Sequence, residues 1–126
     1  MEIGTVMLVD DEADIRTISE LALREVGGWR VMVAESGTQA LELAAAETPD
    51  VVLLDVMMPR LDGPSTLKRL REDLGLEAPV IFVTSRARPS DVESYLSLGA
   101  IGVIPKPFDP MALPGEIRRI VDESRA

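Results

Sequence analysis

The sequence contains neither cysteine nor histidine. Without cysteine there are no disulfides and no thiolate zinc sites, and nothing marks the redox compartment. Without histidine there is no Ser-His-Asp catalysis, no His-ligated metal and no phosphohistidine within the chain. Positive charge is also scarce: 13 Lys+Arg face 22 Asp+Glu, a net charge of -9. That balance repels polyphosphate backbones and argues against a nucleic-acid partner, although an acidic surface by itself also serves solubility. No apolar run is long enough to span a bilayer, and Met1-Glu2-Ile3-Gly4 has neither the basic flank nor the hydrophobic stretch of a signal peptide. No membrane partner is expected, and a cytoplasmic location is. Linkers, repeats and low-complexity stretches are missing too, so the 126 residues read as one domain, 1–126, with a single core.

What is present is an alternation of short β-branched runs with amphipathic helical patterns. Thr5–Val9, Trp29–Ala34, Val51–Leu54, Val80–Val83 and Ile101–Ile104 read as strands. Between them, Ile15, Ile18, Ala22 and Val26 trace a first helix from Ala13 to Val26, stopped by Gly27-Gly28. Ser36 or Gly37 opens a second, with Ala40, Leu43, Ala44 and Glu47 on one side, closed before Pro49. Leu67, Leu70 and Leu74 stripe a third that ends at Gly75. Ser90 caps a fourth, with Val92, Tyr95 and Leu96 inward and Gly99 at its end. Asp109-Pro110 opens a last helix with Ile117, Ile120, Val121 and Ser124 on one face. Five strands alternating with five helices imply right-handed crossovers and an α/β doubly wound (βα)5 architecture. Its five-stranded parallel sheet, covered on both faces, is expected in the order 2-1-3-4-5. The nearly continuous apolar character of Val51–Leu54 and Val80–Val83 suits strands buried on both sides.

The chemistry collects at the carboxyl ends of those strands. Asp10-Asp11 ends the first, Asp55 the third, Thr84-Ser85 the fourth, and Lys106-Pro107 follows the fifth. In this strand order the three acids meet at the switch point, where an open α/β sheet binds its ligand. Carboxylates that close raise one another's proton affinity, so they bind either protons or a hard cation. An all-oxygen donor set selects Mg²⁺ or Mn²⁺. A cation held there would let a carboxylate attack a phosphoryl group, with Lys106, the Thr84 hydroxyl and a backbone N–H near Ser85 meeting its outer oxygens. Pro107 after the lysine implies a particular loop geometry, a cis bond being one form of it, that turns the amine back over the strand ends. Each piece has an ordinary reading as well. Asp10-Asp11 alone reads more readily as a helix cap, Asp55 as a turn acid, Thr84 as one more β-branched residue, and Lys-Pro as a surface dipeptide. Their joint placement at four strand ends is what favours a site.

The ordered set Asp10-Asp11, Asp55-Val56-Met57-Met58-Pro59-Arg60-Leu61-Asp62-Gly63, Thr84-Ser85, Leu98-Gly99-Ala100 and Lys106-Pro107-Phe108 resembles the receiver domain of the two-component response-regulator family, in its stand-alone form. The resemblance runs from about Thr5 to the last helix. It implies a flavodoxin-like fold and a phosphorylation-activated switch. Asp55 would be the phosphoacceptor, loaded by a sensor histidine kinase or a histidine phosphotransfer protein. Asp11 and Asp55 would bind Mg²⁺ directly with the Met57 carbonyl, and Asp10 through water. Thr84 and Lys106 would contact the phosphoryl group. Output would be a downstream protein bound through the face of the fourth helix, fifth strand and last helix. Protein binding is the expected output because no DNA-binding or enzymatic module follows residue 126, and the initiator-like Met1 favours a whole protein over a domain excised from a hybrid kinase.

Three positions depart from the family pattern. Relatives commonly carry Tyr or Phe where this chain has Val103, and often a small residue where it has Tyr95. Either bulk has moved from strand to helix, making Val103 and Tyr95 part of the relay, or Tyr95 packs on the surface. Pro114 removes an amide early in the last helix and is expected to bend or loosen it. The alternative function is a Mg-dependent aspartyl-phosphate phosphohydrolase. That class places an acid two residues after its nucleophile, where this chain has Met57, and it uses a cap domain for which no segment is present.

Overall fold

A computed structural model describes residues 2–126. The strands are β1 (Thr5–Val9), β2 (Arg30–Ala34), β3 (Val51–Asp55), β4 (Val80–Thr84) and β5 (Gly102–Pro105). The helices are α1 (Ala13–Glu25), α2 (Gly37–Ala46), α3 (Gly63–Glu72), α4 (Pro89–Ser97) and α5 (Leu113–Ser124), with a 3₁₀ turn at Pro110–Ala112. The sheet is parallel, as the alternation of elements implies, and has the expected order β2-β1-β3-β4-β5.

Successive strand side chains point to opposite faces, and both faces are filled. Met7, Val9, Val52, Leu54, Val80 and Phe82 pack with Ala40, Ala44, Leu67, Leu70 and Tyr95 of α2, α3 and α4. Val6, Leu8, Val51, Leu53, Ile81 and Val83 pack with Leu23, Leu113, Ile117, Ile120 and Val121 of α1 and α5. Each fully buried aliphatic side chain in such a layer stabilises by about 1.5–3 kcal/mol, which anchors the strand ends as a rigid edge.

Several local expectations are corrected. In α1 the inward positions are Ser19, Ala22 and Leu23, while Ile18 and Val26 are exposed. Leu74 in the third stripe and Leu96 in the fourth are exposed as well. The fourth helix begins at Pro89 with Arg88 as its N-cap rather than Ser90; the Arg88 N–H donates to the Asp91 carboxylate at 3.3 Å. Asp109 accepts from the Met111 N–H, yet it caps the 3₁₀ turn and not α5. Pro114 therefore falls in the first turn of α5, where no intrahelical N–H is needed, and it is buried. It packs a helix start and does not loosen a helix interior.

Candidate functional site

The loop after β3 is held by residues that also aim its acid. Val56 and Met58 turn into the core while Met57 points outward, 56 % exposed. Asp62 caps α3 by accepting the Ser65 N–H at 2.8 Å, and the Gly63 N–H donates to the Val56 carbonyl at 2.9 Å. A Cβ on Gly63 would lie 2.5 Å from the Asp55 carbonyl oxygen. Only glycine lets α3 start this close to the strand end.

Asp10, Asp11 and Asp55 each offer a carboxylate oxygen, all within 4.8 Å of one another. Asp10 and Asp55 are buried and Asp11 is exposed. The Lys106 amine reaches into the group, 2.9 Å from Asp10 Oδ2, 3.4 Å from Asp55 Oδ1 and 3.6 Å from Glu12 Oε1. The Lys106-Pro107 peptide is cis. Burial, followed by the charge of Asp10, pushes the Asp55 carboxyl up to about 7, although Lys106 pulls it the other way. Burial would lower the Lys106 amine, but the hydrogen bond to Asp10 and the charges of Asp55, Asp10 and Glu12 outweigh it and raise it. The lysine thus stays charged, and near neutrality the excess negative charge is met in part by a proton on Asp55. A hard divalent cation would meet the same excess, and three converging oxygens are the donor set it takes.

On the other flank, the buried Thr84 hydroxyl accepts the Arg86 N–H at 3.0 Å. The Arg86 carbonyl in turn accepts the Tyr95 hydroxyl at 3.2 Å. Tyr95 is buried, with its ring edge-on to Phe82 at 5.3 Å between centroids, so the surface alternative for it is excluded. Val103 is half-buried against the same core, and Ser85 is exposed at the mouth of the site.

Asp10, Asp11, Asp55, Met57, Thr84, Ser85, Lys106 and Pro107 lie at the carboxyl edge of the sheet or on the loops that follow it, Tyr95 lies on α4, and Val103 sits inside β5 beside Phe82. Glu12 and Arg16 were not anticipated. Arg16 donates to the Asp10 carbonyl at 2.9 Å. Its signal in the sequence is its place one helical turn after Glu12, which puts both on the face that starts at the acidic pair.

The model for the response regulator receiver domain matches residues 6–118, and the chain belongs to that family of signalling domains. It is 41 % identical over 116 residues to the probable transcriptional regulator ycf27 of Guillardia theta, covering 92 % of this chain and 44 % of that protein. It is 40 % identical over 119 residues to the transcriptional regulatory protein CpxR of Escherichia coli (strain K12), covering 94 % of this chain and 50 % of that protein. Its backbone is similar to that of the Vibrio cholerae chemotaxis protein CheY4, with a TM-score of 0.86 at 29 % identity, covering 94 % of this chain and 99 % of that chain. The chain spans about half the length of the curated relatives it matches. The expectation of no nucleic-acid partner is not supported, because those relatives are named transcriptional regulators; the charge of -9 describes the surface of these 126 residues alone. Among the described residues, no helix is long and apolar enough to cross a membrane.

Proposed function

We propose that this domain is a phosphorylation switch that accepts a phosphoryl group on Asp55 from the phosphohistidine of a sensor kinase or phosphotransfer protein. The reading is supported above all by the arrangement of three carboxylates around one lysine at the switch point of the sheet. A buried carboxyl that holds its proton near neutrality is a poor nucleophile until a cation displaces that proton. Asp11 and Asp55 would hold Mg²⁺ (or Mn²⁺) with the Met57 carbonyl, Asp10 acting through water. Bound there, the ion supplies neutralisation of the charge that otherwise keeps a carboxylate from a phosphoryl group. An Asp55 oxygen then attacks phosphorus, the P–N bond breaks, and the imidazole of the donor leaves. Lys106, freed from part of its contact with Asp55, pairs with one phosphoryl oxygen, and the Thr84 hydroxyl and the backbone at Ser85 meet another.

Output follows from the connection beyond Thr84. When its hydroxyl turns to the phosphoryl group, it leaves the Arg86 N–H, and the loop that Tyr95 holds by the Arg86 carbonyl loses its tie to Thr84. With valine at 103, the ring that responds is the one on α4. The surface offered to a downstream protein is then α4-β5-α5, in a cytoplasmic setting where such a kinase delivers its phosphoryl group. The test is labelling by a small phosphodonor with and without Mg²⁺, read by intact mass. The parent should label only with the cation, and Asp55→Asn should fold and stay unlabelled. Full labelling of that variant at another residue would end the assignment.

A further inference from the structure

We infer that Arg16 is a positioning residue for the cation site, aiming the Asp11 carboxylate at Asp55 through the backbone. The inference rests on the cation-binding reading above and adds a residue to it. Arg16 lies in the first turns of α1, its side chain 20 % exposed, and its Nη1 donates to the Asp10 carbonyl at 2.9 Å. That carbonyl belongs to the same planar peptide as the Asp11 nitrogen, so the guanidinium fixes the rotation of the unit that carries Asp11.

Asp10 has further restraints. Its N–H donates to the Ala34 carbonyl at 3.1 Å, its Oδ1 accepts the Glu12 N–H at 2.9 Å, and its Oδ2 accepts from Lys106 at 2.9 Å. Asp11 is the exposed member of the three acids. Its direction follows from the peptide before it, and Arg16 holds that peptide. The second guanidinium nitrogen lies 3.8 Å from Glu35, whose side chain is 69 % exposed. A pair so wet and so long contributes little, which leaves the bond to the Asp10 carbonyl as the contact that matters.

The sign of the effect separates positioning from charge. A guanidinium beside a cation site repels the cation, so by Coulomb's law alone its removal tightens Mg²⁺ binding. If its hydrogen bond sets the geometry of the ligands, removal weakens binding instead, and groups that orient metal ligands commonly change affinity by tenfold or more.

The experiment is a titration of the full chain with Mg²⁺ at fixed ionic strength, followed by amide NMR and by calorimetry. The parent would be compared with Arg16→Met, Arg16→Lys, Glu35→Ala and Asp11→Ala. Arg16→Met should bind about tenfold more weakly. Arg16→Lys, which keeps the charge but not the fork, should bind more weakly than the parent by a smaller factor, and Glu35→Ala should bind as the parent does. Metal-free spectra should keep their dispersion, with shifts confined to residues 9–16. Equal or tighter binding by Arg16→Met overturns the inference. Should that variant fail to fold, Arg16→Lys decides: affinity equal to the parent overturns it, and a loss supports it. A parent that shows no saturable response to Mg²⁺ sinks the cation-binding reading itself. A parent that responds, an Asp11→Ala that does not, and Arg16 variants like the parent sink only the role of Arg16.

Discussion

The two edges of this sheet use charged residues in opposite ways. At the amino edge, apart from the exposed pair of Arg30 with Glu47, the charges that close strand and helix ends meet backbone. Asp50 accepts the N–H groups of Gly4 and Thr5, both at 2.8 Å. Arg71 donates to the carbonyls of Leu76 and Ala78 at 2.8 and 2.7 Å, and Arg118 donates to the Gly27 carbonyl at 2.8 Å. At the carboxyl edge charge meets charge, and the sum does not close, since one lysine faces Asp10, Asp55 and Glu12. Polar groups of the first kind close the ends of strands and helices. Those of the second kind hold an imbalance that a proton or a cation can relieve. The first arrangement closes the fold, and the second leaves an excess of negative charge at the strand ends.

The contrast can be broken most forcefully by pH. The Asp55 carboxyl has a folded value of about 7 against an ordinary 3.8. Between those values the folded protein keeps a proton that the unfolded chain has released. The stabilisation is therefore fully present below the unfolded value and is lost as pH rises through about 7. Without metal, unfolding free energy should fall across this window by up to a few kcal/mol more in the parent than in Asp55→Asn. Urea midpoints at about pH 5 and about pH 8 check this, and equal slopes for the two proteins would remove the imbalance from the account.

Next in size is a pair of aspartates, one from each edge. Asp50→Ala leaves two backbone N–H groups without their carboxylate and should cost about 2–3 kcal/mol. Asp11→Ala should leave metal-free melting unchanged or raise it, because it relieves crowding among acids. If Asp11→Ala melts as low as Asp50→Ala, the acidic pair is a structural cap and the two edges do not differ.

The smallest effect sharpens the relay. Tyr95→Phe keeps the ring on Phe82 and removes the bond to the Arg86 carbonyl, for a loss of about 1 kcal/mol. Thr84→Ala should still label at Asp55 but lose the amide shifts that a beryllofluoride mimic produces across residues 89–108, and Tyr95→Phe should weaken them. Intact shifts in Thr84→Ala would place the relay elsewhere.

Sequence reasoning was strongest where one residue type had one physical job. Val51–Asp55 and Val80–Thr84 are buried throughout, and an unbroken apolar run has little choice in a two-faced sheet. Strand order and connections then brought Asp10, Asp55, Thr84 and Lys106 to one edge. Helix faces were harder. In α1 apolar residues occur almost all around the helix, and packing against α5 and the sheet selects Ser19, Ala22 and Leu23 over Ile18 and Val26. Pro114 misled because the 3₁₀ turn before it shifts the start of α5, a three-residue change that no periodicity records. Glu12, Arg16 and the Arg86 backbone act through loop contacts. Such contacts depend on how two strand ends come to lie beside each other, which spacing along the chain does not encode.

The single tryptophan lies at the amino edge, just before β2, with the Arg118 guanidinium 4.6 Å over its ring and α5 beside it. A strand of five residues separates it from the acids by roughly 17 Å. Its emission is therefore an optical label for the stable half of the molecule: it should report unfolding and the seating of α5 while remaining nearly dark to events among the carboxylates. A reporter for the responsive half has to be added, and the outward-facing Met57 marks where an introduced fluorophore would sit beside the site without entering the core.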